Sequence, residues 1–180
     1  MVGDDGRARC WWGASSPEYV AYHDHEWGKP VRDDRALYEK LCLEAFQSGL
    51  SWITILRKRP AFREAFAGFR IPVVAEFTEA DVERLMADVN IVRNRAKIEA
   101  AIANARAALD VDLGELLWSF APEPRPRPRT RADVPALTPE STAMAKALKK
   151  RGFKFVGPTT AYALMQACGL VDDHIDGCCV

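Results

Sequence analysis

Two residue pairs at opposite ends of this chain restrict its fold more than any other feature: Cys10 with His23 near the start, and His174 with Cys178 near the finish. The short gap between His174 and Cys178 predicts two side chains one helical turn apart on a single face. Two thiols and two imidazoles are the donor set of a closed, tetrahedral structural zinc site. If the pairs meet, one ion ties the first and last segments together and fixes the fold held between them. The two halves lie about 150 residues apart. Spacing alone therefore leaves a second possibility open: a buried cysteine, two solvated histidines and a frayed tail.

A chain of 180 residues suits one domain, with room for two lobes and a sizeable core. Hydrophobic content of 48% and charged content of 28% are ordinary for a globular protein. No apolar run has membrane-spanning length and no charged-then-apolar leader opens the chain, so a cytoplasmic location without membrane contact is expected. Five cysteines cannot all pair, which favours reduced thiols or metal ligation. Cys42 and Cys168 sit in apolar helical stretches and are expected in the core. The formal net charge of zero gives no global sign of nucleic-acid binding. Local basic clusters stand at Arg57–Arg59, in RPRPRTR at 125–131, and at Lys149, Lys150, Arg151 and Lys154.

Apolar spacing predicts helices almost throughout. Leu37, Leu41 and Ala45 share one face of 33–49, and Gly49 ends that helix. Ser51 caps the next, SWITILRKR, before Pro60 opens AFREAFAGF. Thr78 with Asp81 resembles a capping box. The alanine-rich 94–110 and LGELLWSF follow. Alternate prolines exclude regular helix from 121–136, which reads as an extended surface connection. Pro139 and Pro158 each begin a further helix, ending at Lys150 and Cys168. No two-residue alternation and no internal repeat is present. The fold class is all-α.

Between the last two helices, Gly152 and Gly157 bound a short loop carrying Lys154. The new helix opens on Pro158, Thr159 and Thr160. Glycines permit a tight turn and close approach, and a helix start offers unpaired N–H groups to an anion. This is how a helix-hairpin-helix grips a DNA phosphate without reading sequence; an ordinary helix connection with solvated lysines has the same pattern. Trp11, Trp12, Tyr19, Tyr22, Trp27 and Trp52 crowd the first 52 residues, with Glu44 on the helix before QSGLSW. Aromatic faces and one desolvated anion describe a cage for a flat cation.

RCWW, YVAYHDHEWGKP, DDRALYEKLCLE, QSGLSWITILRKR, ALKKRGFKFVGPTTAYALMQACG and DDHIDGCC, in this order, resemble the type I DNA-3-methyladenine glycosylases among the helix-hairpin-helix glycosylases. The resemblance implies a single two-lobed helical domain over 1–180, with the hairpin at about 146–168. It implies one structural zinc on Cys10, His23, His174 and Cys178, leaving His25 as a surface neighbour and Cys179 as a non-ligand. Glu44, Tyr22 and Trp52 become the catalytic pocket, walled further by Trp12, Tyr19 and Trp27. Gly152, Lys154, Gly157, Thr159 and Thr160 contact DNA, and Leu50 fills the gap left in the duplex. The partner is double-stranded DNA containing 3-methyladenine, met by a monomeric bacterial enzyme acting at the nucleoid. Residues 105–137 are covered only weakly. Ser48 stands where the family has alanine and Asp172 where it has asparagine. The latter lies near the hairpin and His174, where it can weaken a phosphate contact or act on the zinc shell.

Methylation at N3 makes adenine a cation and a better leaving group. The family is understood to lack its superfamily's usual catalytic aspartate, which makes Glu44 a charge partner of the base rather than a general base. A cation–π contribution of about 0.5–2 kcal/mol gives roughly two- to thirtyfold preference for the methylated base. Pairing with Glu44 and the weakened bond must supply the rest. No lysine is placed to form a Schiff base, so strand cleavage is not expected. Two rivals exist: a non-catalytic, zinc-stabilised reader of damaged DNA, and a zinc hydrolase, which would need an open metal position that four protein ligands deny.

Overall fold

Helix α2 (Asp34–Gln47) is the element around which the rest is arranged. It packs against α3 (Trp52–Ala65), α6 (Arg95–Ala108), α7 (Leu113–Trp118) and α9 (Pro158–Ala167). Every residue from Leu37 to Phe46 is buried, so this is a helix covered on all sides rather than an amphipathic surface helix. The computed structural model describes residues 1–180. The remaining helices are α1 (Pro17–His25), α4 (Ile71–Ala75), α5 (Glu79–Ala87) and α8 (Pro139–Lys150), with 3-10 turns at Ala67–Phe69 and Arg131–Asp133. Strand pairing is limited to one isolated bridge between Val2 and Ala8. The all-α expectation holds.

Caps explain most boundaries. The Asp33 carboxylate accepts from Ala36 N at 2.9 Å, Asn94 from Lys97 N, and Thr78 with Asp81 forms the expected capping box. α1 lies outside the helices that apolar spacing predicts, although Ser16 ahead of Pro17 is an ordinary start signal and its hydroxyl accepts from Tyr19 N. Pro60 does not open a helix; it lies inside α3. The continuous axis places Ile55 and Phe62 together in the core, and Phe62 meets Phe46 at 4.6 Å. That burial outweighs the backbone bond proline removes. Ser51 makes no backbone cap; its hydroxyl pairs with that of Thr54.

The main core joins 37 residues, whereas the cluster beneath the N-terminal aromatics holds only Cys10, Tyr22, Trp27, Leu56 and Ala167. So small a cluster needs a second tie to hold the N-terminal segment in place. Cys42 and Cys168 are in the main core, as expected. The 121–136 segment is irregular but well anchored. Arg125 Nη2 donates to Asp173 Oδ1 and the Tyr162 hydroxyl, both at 2.8 Å. Arg127 donates to Asp172 Oδ2 and to Val180 O, and Pro128 O accepts from Asp176 N.

Candidate functional site

A cavity of about 350 Å³ opens where α1, the start of α3 and α9 meet, a size suited to one small planar ligand. Trp12 stands at its centre of aromatic contacts, edge-on to Tyr19 at 5.5 Å and to Trp27 at 5.1 Å. Tyr22 lies 5.5 Å from Trp52. All five line the cavity together with Glu44. The structure therefore brings the pocket residues expected from the sequence, which come from three separate segments, into one site. Burial, and after it the Glu44 charge, pushes the Tyr22 phenol well above its usual range, so that ring stays neutral.

The electrostatics of α2 single out Glu44. Three charged side chains of this helix are buried: Glu39, Lys40 and Glu44. Glu39 accepts from Arg63 at 2.7 Å. Lys40 donates to Glu26 at 2.7 Å, and Glu26 also takes Arg59 through both oxygens. Glu44, 6% exposed, has no ion-pair or hydrogen-bond partner. Burial pushes its carboxyl up to about 7, with only a weak opposing pull from Lys40. A desolvated, unpaired carboxyl is unfavourable unless a ligand completes it. The Glu44 carboxyl opens onto the cavity, whereas the indole N–H of Trp52 is fully buried without a partner.

The four residues from the chain ends also meet. Their donor atoms all lie within 4.8 Å of one another. Cys178 Sγ is 3.4 Å from His23 Nε2 and 3.6 Å from His174 Nδ1, and Cys10 Sγ is 3.7 Å from His174 Nδ1. A tetrahedral ion with metal–sulfur and metal–nitrogen distances near 2.3 and 2.0–2.1 Å has sulfur–nitrogen edges of about 3.5 Å. The outer ring nitrogens are occupied. His23 Nδ1 meets Asp24 Oδ1 at 2.8 Å, and Arg9 clamps that carboxylate through two nitrogens. His174 Nε2 faces Trp27 O at 3.3 Å. Each imidazole thus turns its lone pair inward, the orientation a metal ligand requires. Burial lowers both histidines, His174 to about 4, which keeps them neutral. Burial pushes the Cys10 thiol up to about 12, and Cys178 alongside adds to this; a cation would relieve both effects. The donor set fits.

One local expectation fails here. His174 and Cys178 are not on a helix but in a turn through Gly177, with Cys178 N donating to Ile175 O. A turn brings residues four apart as close as a helix does. Gly28 is required nearby: its φ is +78°, and a β-carbon there would lie 2.9 Å from His174 Nε2. His25 is exposed and Cys179 lies outside the cluster. Asp172 directs one oxygen to Arg127 and the other to His174 N.

Apart from Thr159, the residues expected to contact DNA sit away from the cage. Leu50 is 41% exposed at the corner after α2, where Gly49 has a φ of +83°. The buried Lys97 ammonium braces this corner by donating to Phe46 O and Ser48 O, a role sequence reading missed. Gly152, Lys154 and Gly157 form the α8–α9 loop, with Lys154 exposed. The Asn104 side chain clamps that loop through Lys154 N and O. Thr160 opens onto a shallow groove with Ser48 and Lys149, whereas Thr159 lines the aromatic cavity. Sequence reading also missed the far wall: Val134, Pro135 and Ala136 from the arginine–proline segment, with Tyr162 and Gln166 of α9. Asp173, fully buried, accepts from Tyr162 Oη at 2.5 Å and Gln166 Nε2 at 2.8 Å and so orients that wall.

An all-helical body with an aromatic cage around a lone carboxyl is the arrangement of a protein that receives a flat, electron-poor ring. The family model described as methyladenine glycosylase matches residues 11–180, and the chain belongs to that family. DNA-3-methyladenine glycosylase 1 of Escherichia coli (strain K12) is 49% identical over 178 residues, 95% of each chain. A crystal structure of 3-methyladenine DNA glycosylase I superposes with a TM-score of 0.92 at 49% identity, covering 96% of this chain and 98% of that one. A single-site variant of 3-methyladenine DNA glycosylase I, solved in complex with 3-methyladenine, superposes with a TM-score of 0.90 at 38% identity, covering 95% and 96%.

Proposed function

We propose that this protein is a base-excision repair enzyme that flips 3-methyladenine out of alkylated double-stranded DNA and releases it by hydrolysis, leaving an abasic site. The observation that carries this reading is Glu44, a buried carboxyl without a partner inside an aromatic cage. The cationic base supplies the missing charge. Trp12, Tyr22 and Trp52 offer π faces, each worth about 0.5–2 kcal/mol to a cation. A neutral purine brings no charge to Glu44 and leaves it unpaired, which is the basis of selection. Extrusion from the stack costs a few kcal/mol, least for a damaged base. Leu50 enters the gap, and the α8–α9 loop holds the backbone through Lys154, Gly152, Gly157 and Thr160 as a helix-hairpin-helix. No lysine lines the cavity, so release proceeds without a Schiff base and the strand stays intact.

One zinc ion, held by Cys10, His23, His174 and Cys178, serves a structural role. A closed four-ligand site leaves no position for substrate, and supports this role over metal-assisted hydrolysis. The test of function is Glu44→Gln, which keeps shape and deletes charge. Release of 3-methyladenine from methylated DNA, followed by chromatography, falls by more than tenfold, as expected for loss of a charged partner worth about 2 kcal/mol. Affinity for a duplex with an abasic-site analogue stays near wild type. Wild-type turnover in this variant would remove the pocket assignment, and binding without any base release by the wild-type protein would make it a reader of damage instead.

A further inference from the structure

The arginine–proline segment has no part in the function just proposed beyond its three wall residues. We infer that it forms a second phosphate-contacting surface, in which Arg129 and Arg131 hold the DNA backbone beside the extruded nucleotide. This rests on the glycosylase reading above and extends it. Four arginines alternate along 125–131, and they fall into two kinds. Arg125 and Arg127 are engaged inward, by Asp173 and by Asp172 with Val180 O, and they pin the segment to the body. Arg129 and Arg131 are exposed and make no ion pair. The guanidinium of Arg131 lies 5.8 Å over the Trp11 ring, which itself lines the aromatic cavity.

Position and shape agree with this division. The chain runs directly from these two arginines into Val134, Pro135 and Ala136, the cavity wall. Through its contact with Trp11 the Arg131 guanidinium stands beside the cavity, and Arg129 precedes it by two residues. A groove of about 300 Å³ runs along this stretch, lined by Arg125, Arg127 and Arg129 with Pro126, Pro128 and one acid, Asp133, so three of its four charged residues are cations. The acid that borders it, Asp133, accepts from Thr130 N and Oγ1, and although the Arg129 charge also acts on it the two side chains form no ion pair. Alternate prolines hold the backbone extended, so little freedom is left to lose on binding. With a formal net charge of zero, attraction to DNA must come from such local surfaces.

The test compares wild type, Arg129→Ala/Arg131→Ala and Arg129→Glu/Arg131→Glu on a duplex carrying an abasic-site analogue, by anisotropy over a salt series. Each lost phosphate contact lowers the slope of log affinity against log salt by about 0.9, so the double alanine variant loses roughly two, with about tenfold weaker binding at low salt. The glutamate pair loses more, Arg129→Lys/Arg131→Lys retains most of the slope, and melting temperatures stay together. Slopes and affinities equal to wild type in both the alanine and glutamate pairs would overturn the inference. Calorimetry of free 3-methyladenine separates it from its premise. Failure of wild type to bind the base removes the glycosylase reading, while the salt slopes still report on the arginines.

Discussion

The four-residue knot and the aromatic cage share a wall yet treat their polar groups in opposite ways. At the knot every group faces something: Asp24 holds His23 and is held by Arg9, and the Trp27 carbonyl faces His174. In the cage, Glu44 and the Trp52 indole have no partner, although Glu39 and Lys40 on the same helix are paired. A closed set of groups marks a place built to hold the protein together. Polar groups left unpaired at the cost of stability mark a place completed by something else.

Breaking the knot tests the first half of that contrast and carries the largest expected effect. Elemental analysis should find the proposed zinc in the wild type and lose it in both Cys10→Ala and His174→Ala. Melting should fall by more than about 10 °C, since 1 kcal/mol corresponds to roughly 2–4 °C at this size. Cys179→Ala should keep both metal and stability. Loss of metal in Cys179→Ala with retention in Cys178→Ala would move the ligand by one residue.

The second half is sharpened by pH. Glu44 titrates at about 7 in the folded protein against an ordinary value of 4.5. The folded state thus holds this proton more tightly than the unfolded chain. Its contribution is full below pH 4.5 and is lost as pH rises to about 7. Glu44→Gln should therefore stabilise the protein at pH 8 by on the order of 3 kcal/mol and change little at pH 4, as read by urea titration. The same variant should lose the rise in kcat/KM through pH 7 that ionisation of Glu44 gives the wild type. A variant less stable than wild type at pH 8 would mean that Glu44 has a partner after all. A smaller effect is expected at Trp52→Phe, which removes the orphan N–H and keeps an aromatic face. Its stability should stay within about 1 kcal/mol of wild type or rise, with base affinity reduced only a few fold.

Much of this contrast was legible in the sequence because both sites are written in residue types with narrow uses. Paired cysteine and histidine at two ends, and a carboxylate among tryptophans and tyrosines, serve few purposes besides these once their motifs stand in order. Helix boundaries were legible wherever Asp33, Thr78 or Asn94 supplied a local cap. What escaped was non-local. Nothing in RKRPAF says that Phe62 will be drawn onto Phe46 and carry Pro60 through a helix. Four-residue spacing at His174 and Cys178 fits a turn as well as a helix. Arg125 and Arg127 meet their acids across 48 and 45 positions, so no window around RPRPRTR reveals that this stretch is docked beside the cage.

The separation of Cys10 from His174, 164 positions, sets the order in which the molecule can be assembled. Within the main core, α4 with α6 and α8 with α9 meet through short stretches of chain and can form early. The two ends must search a long loop, and their closure is rewarded only after the core has brought them near. Interactions made after the rate-limiting step leave the folding rate almost untouched and act on unfolding instead. The knot is therefore a latch on the lifetime of the folded molecule: without it the protein would arrive at nearly the same speed and stay for a shorter time.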